Sequence, residues 1–239
     1  MHWFRRANGW TIHVNLVHVL ATYTVSKLGG LARSPSKLAV KEMKHLLCWF
    51  YDNRDKGITF GGKDSTGVNA LTPKELAQFF LAANPPPYCL FFLVDSDLKD
   101  KSRYSVWLYL NGGPIKVISR MQHSIASDIT DSEAFGFGIA AVLCEVVRGR
   151  LDDMGASYCT IHATGIGTDN DATRRIAADA ASAKRAQHIM RRLGHTRHLT
   201  DLGVIVAKKI ARDFNVADAG THYCTKDVLH AFDKKLRNA

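Results

Sequence analysis

Four acidic residues, Asp95, Glu133, Asp169 and Asp218, stand at positions from which side chains of a folded sheet commonly converge. Asp95 directly follows a buried strand, and Asp97, two residues on, is its alternative if the strand continues. Glu133 falls in the first turn of a long helix, Asp169 ends a later strand, and Asp218 begins the last helix. Taken singly, each has an ordinary explanation. Carboxylates at a helix start are favoured by the helix dipole, and aspartates often end strands. Taken together, four carboxylates brought to one place repel one another unless cations are present. Hard oxygen ligands suit Mg²⁺ or Mn²⁺, and two such ions can assist hydrolysis of a phosphodiester.

The elements that must position these groups follow from pattern. Tyr88 to Val94 is a continuous apolar run, suited to a central strand. Residues 103–110 and 114–119 read as a hairpin turned at Asn111-Gly112-Gly113, with a further short strand or strand end at 124–127. Asp131-Ser132 is expected to cap a helix that reaches Met154 and stops at Gly155. A strand follows from Tyr158 to Ile166, then helices over 171–181 and 183–193, a strand over 203–210 and a mostly helical end from Val216 to Leu236. Upstream, Leu16 to Leu28 reads as a helix, and Ser34 or Ser36 caps a stronger one ending near Gly57. An extended piece at 58–60, a linker over 61–72, a short helix over 72–83 and a triple-proline break lie between the two regions.

The 239 residues are 46% hydrophobic and 23% charged, which fits a folded chain, and the formal charge of +10 suits a polyanionic partner. Five cysteines without a CxxC pair argue against a disulfide framework and fit a reducing compartment. No apolar run approaches the ~20 residues of a membrane span, and no export signal is read at the N-terminus. The histidines at 188, 195, 198 and 222 lack matched Cys partners, so no zinc site is expected. Trp107, Tyr109 and Phe135 are read as core residues rather than base-stacking platforms.

The stretch from Leu16 to Gly62, notably TYTVSKLGGLARSPSKLAVKEMKHLLCWFYDNRDKGITFGG, resembles the end of a copia-type reverse transcriptase where it runs into ribonuclease H. VDSD resembles that family's first catalytic motif, and KSRYSVWLYLNGGPIKVISRMQ the hairpin after it. TDSEAFG resembles the helix carrying the catalytic Glu, GTDND the third acidic motif, KRAQHI a basic segment, and NVADAGTHYCTK the closing motif. The resemblance covers roughly residues 16–236. Phe135 stands where the family often has a second Glu, and no Tyr-x-Asp-Asp polymerase motif occurs.

The resemblance implies a ribonuclease H-like α/β fold, a mixed five-stranded sheet flanked by helices with an N-terminal helical segment. It divides the chain into a reverse transcriptase remnant (1–62), a linker with a short helix (63–87) and a ribonuclease H-like domain (88–239). It implies hydrolysis of the RNA strand of RNA–DNA hybrids with two Mg²⁺ or Mn²⁺ ions held by Asp95, Glu133, Asp169 and Asp218. Lys184, Arg185, His188, Arg191 and Arg192 are the expected nucleic-acid contacts, with Lys208, Lys209, Arg174 and Arg175 nearby. The rest of a reverse transcriptase polyprotein is the implied partner. Neither a membrane nor a small-molecule cofactor is expected, and the expected location is a cytoplasmic virus-like particle or the nucleus. The alternative is a catalytically degenerate copy serving as a nucleic-acid-binding or structural domain.

Overall fold

The computed structural model describes residues 2–58, 90–110, 113–179 and 187–237. The expected linker, short helix, proline break and domain boundary, with Lys184 and Arg185, lie outside the described residues. The expected extended piece lies there too, apart from Ile58.

The chain forms an α/β structure around five strands, β1 (Leu90–Ser96), β2 (Arg103–Leu110), β3 (Gly113–Met121), β4 (Thr164–Thr168) and β5 (Ile205–Lys209). Their order across the sheet is β3-β2-β1-β4-β5. β1–β2 and β2–β3 pair antiparallel, whereas β1–β4 and β4–β5 pair parallel. The expected hairpin is present as the pairing of Leu110 with Gly113. β1 is buried along its whole length, as its unbroken apolar run requires of a central strand covered on both faces.

One face of the sheet carries Phe92, Val94, Val106 and Ile166 against the long helix α4 (Ile129–Asp153), with α5 (Asp171–Ala178), α6 (Gln187–Arg192) and α7 (Gly194–Asp201) completing that layer. The other face carries Phe91, Leu93, Trp107 and Tyr109 against Val19, Leu20, the 3₁₀ turn Val216–Gly220 and Phe232 of the last helix, α8 (Lys226–Arg237). Trp107 and Tyr109 are fully buried, as expected of core aromatics. Helices α1 (His2–Val14), α2 (Thr22–Gly30) and α3 (Lys37–Asp52) enclose a small core of their own around Phe4, Leu28, Met43 and Phe50. That unit is joined to the sheet through Arg103, which donates to the Ser26 and Ser119 hydroxyls, and through Ser26, which donates to the Ser119 carbonyl.

Several elements differ from expectation for identifiable reasons. The helix expected over 16–28 is instead a 3₁₀ turn at Val19–Ala21 followed by α2, and α1, before it, was not expected. The inward stripe of α1 is Phe4, Ala7, Asn8 and Thr11, and its two polar members conceal the helical period, while Trp3 and Trp10 face outward. Ser36 caps α3, accepting from the Ala39 amide at 3.1 Å. The cap of α4 is Asp128, which accepts from the Asp131 amide at 2.9 Å, and Asp131 lies inside the first turn. Residues 124–127 form no strand and lead into that cap, with the Ser127 amide donating to Asp131. Gly155, at φ +75°, ends the helix as expected.

The strand read from Tyr158 begins only at Thr164. Arg148 donates to the carbonyls of Thr160 and His162 and to the Thr164 hydroxyl, which holds the preceding segment off the sheet. The helix expected over 171–181 ends at Ala178. Of the helix expected over 183–193, the described part is α6, residues 187–192, and α7 follows it around Leu193, which is fully buried. The mostly helical end is a 3₁₀ turn, a break and α8.

Two glycines set close approaches. A Cβ on Gly136 of α4 would lie 2.8 Å from Ser96 Oγ and 3.0 Å from Val94 Cγ1, so its absence lets the helix lie close over the end of β1. A Cβ on Gly220 would lie 2.1 Å from Ser105 Oγ and 2.7 Å from Ser105 Cβ, so the 3₁₀ turn can sit against β2 only with glycine there. Gly220→Ala is therefore expected to lower stability by about 1–3 kcal/mol, read as a lower urea midpoint at unchanged slope. Gly149→Ala, where an added methyl meets nothing within 4 Å, should instead gain about 0.5–1 kcal/mol.

Candidate metal centre

β1 and β4 are parallel neighbours, so their C-terminal ends lie side by side, and α4 begins above them. Asp95 is the sixth residue of β1, and Asp169 follows the last residue of β4. Asn170 fixes the turn after Asp169. Its amide donates to Thr168 Oγ1 at 3.1 Å, and its side chain accepts from the Thr173 amide at 2.9 Å, capping α5. Lys209 at the end of β5 donates to the Asp169 carbonyl. Glu133 sits one turn before Gly136, which lies against the end of β1. One ligand oxygen from each of Asp95, Glu133 and Asp169 lies within 4.8 Å of the others.

Asp218 approaches from the opposite face. It lies in the 3₁₀ turn Val216–Gly220, not at the start of a helix as expected. That turn is pinned by Asn215, fully buried, whose Nδ2 donates to the Val94 carbonyl at 3.0 Å and whose Oδ1 accepts from the Ala217 amide at 3.3 Å. Ser119 Oγ donates to the Gly220 carbonyl at the turn's other end. Thr221 then donates to Asp95 Oδ2 at 2.5 Å. All four carboxylates line one cleft of about 320 Å³, together with Asn170, Arg212 and His222.

Asp97 also borders the cleft but does not replace Asp95 in the cluster. β1 ends at Ser96, and Asp97 accepts from the Arg103 amide at 2.5 Å and pairs with Lys99 at 2.6 Å. A larger cavity of about 720 Å³ lies between α3 and α8. Among the described residues, groups of three potential metal ligands occur at the carboxylate cleft and at Asp218, His222 and Cys224, so the chemistry points to the smaller cleft.

The electrostatics are those of crowded buried acids. Burial, then Asp218 and Asp169, pushes Asp95 up to about 7, against the Thr221 hydrogen bond and Arg212. Glu133 is raised well above the usual range by burial and by Asp95 and Asp169, although the Ser96 amide and the Thr168 hydroxyl donate to it. Asp218 is raised by burial and Asp169, opposed by His222 and Arg212. Glu133 is 4% exposed, and its Oε2 has no hydrogen-bond partner. A buried carboxylate oxygen left unmatched beside two other carboxylates has the donor chemistry of a hard cation site.

The residues expected to contact nucleic acid divide. His188 and Arg191 are exposed, and His188 Nε2 lies 3.1 Å from Ser127 Oγ, which places α6 beside the start of α4. Arg192 is already committed. It pairs with the buried Asp131 at 2.8 Å, donates to Ser124 and lies over the Phe135 ring, so its charge joins α6 to α4 and is not free for phosphate. Phe135 packs against Tyr104. The sequence reading missed Asn215, Thr221 and Arg212. Asn215 and Thr221 flank Asp218 closely enough to suggest a turn, but nothing local marks their long-range partners, Val94 and Asp95.

No family model and no curated protein matches the sequence.

Because Asp95 ionises near pH 4 in the unfolded chain and near pH 7 in the cation-free fold, the fold binds more protons between these values and loses stability as pH rises through them. Asp95→Asn, measured by thermal melting in a chelator, should therefore be more stable than the parent at pH 8 by about 2–4 kcal/mol, the difference vanishing near pH 3. A variant less stable at pH 8 would contradict the crowding described.

Proposed function

We propose that this chain is a ribonuclease H of a copia-type retroelement, hydrolysing the RNA strand of RNA–DNA hybrids with Mg²⁺ or Mn²⁺. The carrying observation is the convergence of Asp95, Glu133 and Asp169 within 4.8 Å, with Glu133 Oε2 buried and unmatched. The mixed sheet with order β3-β2-β1-β4-β5 is compatible with a ribonuclease H-like fold. In this reading helices α1–α3 are the end of the reverse transcriptase, and the rest of that polyprotein is the partner.

Asp95, Glu133 and Asp169 would hold one cation, and Asp218, on the opposite wall, would share a second with the cluster. When bound, such ions supply the charge that activates a water and stabilises the leaving oxygen in phosphodiester hydrolysis. The chain's own groups do the rest. Thr221 orients Asp95, Asn170 sets the turn that presents Asp169, and Asn215 holds Asp218 against β1. Arg212 puts positive charge on the cleft wall, where it can attract a phosphate. Arg191 and His188, exposed on α6 beside α4, extend that attraction along the surface, and the net charge of +10 favours a polyanion throughout.

The test is cleavage of labelled RNA–DNA hybrid in Mg²⁺. The parent is expected to cut the RNA strand, and Asp169→Asn to lose that activity while keeping hybrid binding. Equal cleavage by both would sink the proposed site. Binding without cleavage by either would favour the non-catalytic, nucleic-acid-binding reading.

A further inference from the structure

Beside the carboxylate cleft, Asp218, His222 and Cys224 each bring one donor atom within 4.8 Å of the other two, and all three residues are half-buried. The donors are one oxygen, one nitrogen and one sulfur, unlike the all-oxygen set of Asp95, Glu133 and Asp169. Mixed nitrogen and sulfur ligands select borderline or soft divalent ions over Mg²⁺.

The hydrogen bonding around His222 adds an independent argument. The Thr221 hydroxyl proton has two oxygen acceptors, Asp95 Oδ2 at 2.5 Å and the Asp218 carbonyl at 3.0 Å. Thr221 Oγ1 also lies within hydrogen-bond distance of His222 Nδ1, 3.2 Å away. That bond fixes the ring and directs Nε2 at Asp218 Oδ2, 3.4 Å distant. Nε2 and Oδ2 thus face each other at a spacing that a cation shared between them would set. Two ligand atoms at zinc's usual bond lengths in a tetrahedral site stand about 3.3–3.5 Å apart. A metal-bound imidazole commonly has its other ring nitrogen held by a hydrogen bond, and Thr221 Oγ1 stands at that distance here. The sequence did not suggest this group because Cys224 lies two residues beyond His222 and makes no repeated metal motif with it.

We propose that Asp218, His222 and Cys224 form a second metal site, for Zn²⁺ or another thiophilic divalent ion, which draws Asp218 away from the carboxylate cleft. Binding stands on these three residues alone. Its consequence, inhibition of hybrid cleavage by zinc, rests on the ribonuclease reading.

The experiment titrates the full chain, in reducing buffer, with Co²⁺ as a spectroscopic stand-in and Zn²⁺ as competitor. The expected result is a thiolate-to-cobalt charge-transfer band that zinc abolishes. The band should be retained in Cys48→Ser and Asp95→Asn and lost in Cys224→Ser. His222→Ala should weaken Co²⁺ binding by at least about tenfold. Absence of the band in the parent chain, as a simple His222–Asp218 ion pair would give, or its persistence in Cys224→Ser, would overturn the site. Cleavage of hybrid in Mg²⁺ with added Zn²⁺ forms the second arm, each protein compared with its own zinc-free rate. The parent should be inhibited at zinc concentrations that Cys224→Ser tolerates. A parent chain that cuts no hybrid would refute the ribonuclease reading and leave the cobalt result to decide the metal site, whereas zinc inhibition equal in parent and Cys224→Ser would overturn the link to Asp218.

Discussion

Like charge held in a small, half-dry space is the constraint around which this structure is organised. Asp95 and Glu133 are almost fully buried, Asp218 and Asp169 oppose ionisation of Asp95, and Asp95 and Asp169 oppose that of Glu133. Nothing about the carboxylates favours their assembly without cations. They are held together by bonds made elsewhere, namely the parallel pairing of β1 and β4, the close seat of α4 on β1 that Gly136 permits, and the Asn215 and Ser119 bonds that fix the 3₁₀ turn. Strain of this kind is what a cation site requires, because the binding energy of the ion then repays a repulsion already built into the fold.

The N-terminal helices take part in that organisation. Arg103 runs from β2 to Ser26 of α2 and lies near the ring of Tyr23. Tyr223, one residue past His222, is packed edge-on against Tyr23 and receives the Lys27 ammonium. The loop that carries Thr221 and His222 is therefore buttressed by residues two hundred positions away in sequence. The same face of the sheet that positions Asp218 is covered by Val19 and Leu20, so the turn between α1 and α2 joins the hydrophobic core behind the site.

Much of the sheet was legible because its signals are local. The unbroken apolar run of β1, the turn signal of the β2–β3 hairpin and the glycine stop of α4 each read correctly without tertiary information. Elements went unread where a polar residue faced inward or an apolar one outward. Asn8 and Thr11 hide the period of α1, and Tyr158 and Ile161, which suggested a strand, are exposed. The basic segment shows the same limit. Arg192 looks like a phosphate ligand in sequence, but Asp131 neutralises it in space.

What the sequence determined by itself was the set of acids and, for Asp95, Glu133 and Asp169, the kind of element that carries or precedes each. Residue type and hydrophobic period are local properties, and they were enough to name Asp95, Glu133, Asp169 and Asp218. Only the tertiary structure decided that Asp95 rather than Asp97 joins the cluster, because the strand stops at Ser96 and the Arg103 amide captures the later carboxylate. It alone gathered Asp218, His222 and Cys224 around one point, and left Glu133 Oε2 without a donor. Distances between side chains on separate elements depend on how those elements pack, and the packing is set by glycines and buried hydrogen bonds whose partners lie far along the chain.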